Sequence, residues 1–97
     1  MSNVLVTLNE RGHGAFYITD RDERIAEMVI SVSGSYMTVY HTEVFEKGEG
    51  QGLGKQLLET MVKYARKHQL KVIPLCPYVL AQFKRHPELY NDVWNKT

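Results

Sequence analysis

The 97-residue sequence predicts an α+β domain with one α/β-like crossover: an antiparallel four-strand meander, a helix, a fifth strand parallel to the fourth, and C-terminal helices. Three observations carry this expectation. Apolar residues alternate with polar ones through Val44, take up helical spacing from Leu53, and return to a short apolar run ending at Cys76. Strand, helix and strand in succession require a crossover, which makes the two strands parallel. Residues 1–97 suffice for one small domain with a modest core and leave no room for a second.

The elements follow in order. Val4, Val6 and Leu8 alternate with Leu5, Thr7 and Asn9 as a strand with one drier face, and Gly12-His13-Gly14 marks a turn. Phe16 and Ile18 form the dry face of a second strand. Asp20-Arg21-Asp22-Glu23 is a polar connection to a third, which turns Ala26, Met28, Ile30 and Val32 to one side. Ser33-Gly34-Ser35 reads as a tight hairpin into the fourth strand, Tyr36 to Val44.

A helix from Leu53 to about His68 places Leu53, Leu57, Leu58, Met61, Val62, Tyr64 and Ala65 in one stripe, with charges opposite. Only one face is dry, so the helix packs on the sheet. Leu70 to Cys76 is the fifth strand, and Pro74 within it removes a ladder donor. Pro77 and Pro87 suit the first positions of two short helices, the first burying Leu80 and Phe83, the second Leu89, Tyr90, Val93 and Trp94.

Composition narrows the function. No apolar run is long enough to cross a bilayer and no basic-apolar leader opens the chain, so a soluble, unexported, cytoplasmic protein without membrane partners is expected. A single cysteine agrees with a reducing compartment. The formal charge of +1 conceals a split: residues 1–50 hold four cations against eight carboxylates, a balance of −4, and the remainder eight against three, a balance of +5. A basic half suits a polyanionic cofactor and an acidic half an amine, although solvated surface charge produces the same split. Neither half has a dense basic run interleaved with aromatics, which argues against nucleic acid.

The informative motif is Glu49-Gly50-Gln51-Gly52-Leu53-Gly54-Lys55, where a strand hands over to a helix. Glycines there let the backbone approach a ligand, while the free amides and dipole of the helix start favour phosphate. A P-loop needs glycine where Glu49 stands and Ser or Thr where Gln56 stands. The dinucleotide fingerprint needs glycine at Lys55 or, in the earlier register, at Leu53. Both readings fail.

The stretch resembles the acyl-CoA loop of the GNAT N-acetyltransferases, Q/R-x-x-G-x-G/A, with Gly52 and Gly54 as its glycines. The order of elements is similar too, and the chain looks like the small single-domain branch often labelled YjdJ-type. Glu49 departs from the pattern, and a carboxylate there repels diphosphate unless it points away. The resemblance implies a minimal acyl-CoA N-acyltransferase domain that uses acetyl-CoA and no metal. Its product would be an acetylated primary amine, on a small molecule or a protein lysine, and the chain would be a monomer or weak homodimer. A CoA-binding module without catalysis is the alternative, since so small a chain lacks the helices that wall the acceptor site in larger relatives.

It further implies that the fourth and fifth strands part around the pantetheine arm, with Thr42, Glu43 and Val44 lending backbone groups to it. Gly50, Gln51, Gly52, Leu53, Gly54 and Lys55 would hold the diphosphate, and Lys84 and Arg85 would reach toward the ribose phosphate or adenine. Near the thioester four side chains are candidates. His41 and Glu43 share one face of the fourth strand if no bulge intervenes, and either can accept a proton, with His41 the favoured holder. Equally, His41 can continue the face of Met37 and Val39 as a half-buried residue, and Glu43 can serve as an edge residue. Cys76, before Pro77, falls at a helix N-cap where a thiolate is stabilised, or is a small buried apolar residue. The resemblance places Tyr78 loosely where a tyrosine protonates the departing thiolate, and a core role fits it as well.

Overall fold

The computed structural model describes residues 3–96. Five strands lie in spatial order β1-β2-β3-β4-β5: β1 Leu5–Leu8, β2 His13–Asp20, β3 Glu23–Ser33, β4 Tyr36–Val44 and β5 Lys71–Pro74. The first four pair antiparallel, and β5 runs parallel to β4. Helix α1, Leu53–Lys67, makes the crossover, and α2, Pro77–Arg85, and the single turn α3, Pro87–Tyr90, follow β5. This is the predicted α+β architecture.

Two turns have distinct physical causes. Asp20 pairs with Glu23, so the hairpin has only Arg21 and Asp22 as central residues, both with positive φ (53° and 69°). That twist matches the strands it joins. The turn after β3 uses Gly34, at φ 59°.

The core lies on one face of the sheet. Phe16, Ile18, Met28, Ile30, Met37 and Val39 meet Leu57, Leu58, Met61 and Ala65 of α1, with Val79 and Phe83 of α2 in the same cluster. The ring of Phe16 receives Tyr64 edge-on at 5.4 Å. One sheet and one helical layer give extents of 38 × 33 × 20 Å. Among the described residues the opposite face of the sheet carries no helix, and none of the helices described is long and apolar enough to cross a membrane.

Several expectations are corrected. Val6 is 42 % exposed, because β1 is the sheet edge and α1 overlies β2, β3 and β4. In α2 the fully buried pair is Val79 and Phe83, with Leu80 only half-buried. The last helix is one turn long, and Leu89 is exposed. Val93 and Trp94 lie beyond that helix, where the chain adds itself to the outer edge of β5: Val72 N–H donates to Val93 O at 2.6 Å and Asn95 N–H to Val72 O at 2.9 Å. An edge that would otherwise stand open is thereby covered.

Candidate active site

The pairing of β4 with β5 covers only Tyr36 to Val39, opposite Lys71 to Pro74. Pro74 has no amide to continue the ladder, and the chain turns away at Leu75. Cys76 N–H makes one last bond, to Val39 O at 2.9 Å. From Tyr40 to Val44 the β5-facing edge of β4 therefore has no strand partner among the described residues, and the two strands part there.

A β-bulge sits at this parting. Met28 and Val29 pair with Thr42 and His41, whereas Ile30 pairs with Val39, so Tyr40 has no opposite number. The extra residue inverts the alternation of β4. Thr42 and Val44 turn toward the helices, and His41 and Glu43 turn to the open face. His41 thus does not continue the face of Met37 and Val39; it is exposed.

On that open face His41 meets two carboxylates. Its Nε2 lies 3.9 Å from Glu27 Oε2 and 3.8 Å from Glu43 Oε1. Glu27 is opposite Glu43 in register, and it is held from the other side by Arg24, which pairs with it at 3.3 Å while lying over the ring of Tyr17. The three donor groups lie within 4.8 Å of one another. Ligands sharing a zinc at ~2.1 Å stand about 3.4 Å apart, so the spacing is looser than a formed metal centre, and the imidazole contacts are also longer than hydrogen bonds.

After β5, Cys76 occupies the N-cap of α2 as expected, but its side chain makes no capping bond. The thiol is 1 % exposed and lies 3.3 Å from Thr42 Oγ1. Tyr78 is half-buried, and its ring faces the first turn of α1, where a Cβ built on Gly54 would stand 3.6 Å from the phenol oxygen. Burial, then Tyr90, Cys76 and Glu59, push the phenol above its ordinary value. It stays protonated at neutral pH and is able to donate.

The glycine loop leads into α1. Gly50 and Gly52 have φ of 79° and 69°, and a Cβ on either would meet nothing within 4 Å. Gly52 is the N-cap of α1 and offers no side-chain acceptor, so the amides of Leu53, Gly54 and Lys55 face outward without a helical partner. Gln51 turns its side chain back to Lys47 O. Glu49 and Lys55 are both exposed. Lys84 and Arg85 are exposed in the last turn of α2, at the opposite end of that helix from Tyr78. Glu27 is a site residue that no motif in the sequence marks; its place depends on the bulge, without which it would face Thr42.

The model of the GCN5-related N-acetyl-transferase family matches residues 15–93. The chain belongs to that family. A GCN5-like candidate N-acetyltransferase from Staphylococcus aureus, solved by NMR, superposes with a TM-score of 0.69 at 31 % identity, over 100 % of this chain and 93 % of that one. The small GNAT format is therefore shared by both. Larger GNAT proteins share the fold alone: the ribosomal-protein-S18-alanine N-acetyltransferase of Escherichia coli has a TM-score of 0.64 at 21 % identity, with 84 % of this chain covering 54 % of that one. A GNAT acetyltransferase of Elizabethkingia anophelis with acetyl-CoA bound has a TM-score of 0.57 at 18 % identity, covering 80 % and 53 %. No curated protein matches the sequence.

Proposed function

We propose that this chain is a minimal N-acetyltransferase that moves an acetyl group from acetyl-CoA to a primary amine. The observation that carries the reading is the parting of β4 from β5 at Val39 and Pro74, directly beside the Tyr40 bulge. The residues fit the cosubstrate. Gly50 and Gly52 leave open space before the outward amides of α1, which suits a diphosphate. The unpaired edge at Thr42, Glu43 and Val44 suits the amides of a pantetheine arm laid along it as an added strand. Acetyl-CoA, when bound, supplies an activated acetyl thioester.

The protein's own contribution is positioning and proton movement. His41 Nε2 takes the proton that the acceptor ammonium must lose, and Glu27 and Glu43 stabilise the imidazolium that results. Tyr78 Oη carries a proton suited to the departing sulfur. Cys76, buried against Thr42, packs the core, which favours direct transfer over an acetyl-cysteine relay.

Calorimetry with acetyl-CoA and a free-thiol assay against an amine panel test this. Binding lost in Gly52→Val and turnover lost in His41→Gln with binding retained are the expected results. Tight binding with no turnover against any amine would instead identify a CoA-binding module, and no binding at all would end both readings.

A further inference from the structure

Two side chains compete for one place at the Tyr40 bulge. In a bulge two residues of one strand oppose one residue of the other, and here Tyr40 and His41 both stand over Val29, the partner of His41 in register. Both are exposed, Tyr40 by 42 %. They lean in opposite directions along the strand. The imidazole reaches toward Glu27 and Glu43, whereas the phenol reaches back to Ser31, whose partner in register is Thr38. The Ser31 and Tyr40 hydroxyls stand 2.7 Å apart, an ordinary O–H···O distance, along a cross-strand diagonal that an aromatic side chain can span.

We propose that Tyr40 is a positioning residue, held by Ser31, that keeps the space above Val29 clear for the His41 imidazole. The inference rests on the acetyltransferase reading, in which His41 Nε2 takes the proton of the acceptor, and adds what holds that nitrogen in place. His41 needs such help. It is exposed, and neither of its carboxylate contacts, at 3.9 and 3.8 Å, is short enough to be a hydrogen bond. Two physical effects work together. The hydroxyl pair selects one rotamer of an exposed ring that would otherwise sample others, including those that cross its neighbour. It also fixes where the bulge lies. With Val39 as the extra residue, Tyr40 would fall opposite Ile30, which is buried, and the phenol would turn away from Ser31 into the core.

The test compares the parent with Tyr40→Phe, Ser31→Ala, their double variant and Ser31→Thr, each saturated with acetyl-CoA, on the best acceptor of an amine panel. Tyr40→Phe and Ser31→Ala should each lower kcat about two- to tenfold, the range one hydrogen bond covers, while affinity for acetyl-CoA holds. The double variant should lose no more than either single one, since both remove the same bond. Ser31→Thr retains the hydroxyl and should retain the rate. Nuclear Overhauser contacts from the His41 ring to the Glu27 and Glu43 side chains are read in the same proteins. They should weaken in Tyr40→Phe and Ser31→Ala and persist in Ser31→Thr. Parental kcat in both single variants, losses that add, or a fall in kcat with the ring contacts intact each overturn the proposal and leave the transferase reading standing. A parent that acetylates no amine ends that reading, and the ring contacts then decide alone: weakened in both single variants they uphold the positioning role, and unchanged they sink it.

Discussion

Cys76 shows how one side chain's surroundings decide its chemistry. Its place before Pro77 would stabilise a thiolate if the sulfur faced the helix amides, yet the sulfur lies buried against Thr42. On the proposed reading the thiol packs the core and does not carry the acetyl group. Cys76→Ala is expected to keep most of its turnover and to lose about 1 kcal/mol of stability by denaturant titration; an acetylated Cys76 formed at the turnover rate would contradict this. Tyr78 makes a second residue-scale prediction. Its folded pKa is raised, so the stability gained by keeping the phenol neutral is fully present below the unfolded value of about 10 and is lost as pH climbs through the folded one. Between pH 9 and 11, Tyr78→Phe should therefore lose less thermal stability than the parent. At neutral pH the same variant should turn over more slowly with unchanged affinity for acetyl-CoA.

At the scale of elements, α1 is fastened at its two ends by different means. Its start has no side-chain cap, and its last turn is tied to the C-terminal segment. Arg66 donates to Asp92 at 2.8 and 3.2 Å and to Leu89 O at 2.7 Å. The hydrogen bonds from Arg66 hold the Asp92 carboxyl below its ordinary range. A depressed carboxylate contributes stability above its unfolded pKa that is lost as pH falls through the folded one. Both side chains are about half exposed, so the pair is worth under about 1 kcal/mol after screening. Asp92→Asn should lower Tm slightly at pH 7, and the gap from the parent should close on acidification below about pH 4; a gap that is constant with pH would assign the effect to something other than this pair. The strand, helix and strand order of this region was legible because a 15-residue amphipathic helix announces itself by period. The one-turn α3 was not, because four residues cannot express a period and Leu89 only happens to fall where a stripe would.

Across the whole molecule, two layers share a single core, and the C-terminal segment closes one sheet edge. Val93 is buried and receives the amide of Val72. Val93→Ala should cost about 2 kcal/mol and lower the single thermal transition by several degrees, although the residue is far along the chain from every element it supports. A variant as stable as the parent would show that the strand addition is ornamental to the fold. Of the charge split visible in the sequence, Glu27 and Glu43 stand on the open face of the sheet, while Lys55 and Lys63 belong to α1 and Lys84 to α2.

The sequence by itself determined the architecture. Period-two alternation, the Ser33-Gly34-Ser35 turn, the amphipathic stripe from Leu53 and the two prolines before the C-terminal turns are local signals, and each acts through neighbours a few residues away. The glycine loop was legible for the same reason, since Gly50 and Gly52 are needed by their own backbone angles. The register of the open face was not. Counted from the Gly34 turn, regular pairing would set Glu27 against Thr42 and turn His41 into the core. A single unpaired residue at Tyr40 moves Glu27 opposite Glu43 and swings His41 between them. A bulge is decided by how β3, β4 and the helices beneath them fit together. Only the folded sheet could bring those three side chains to one place.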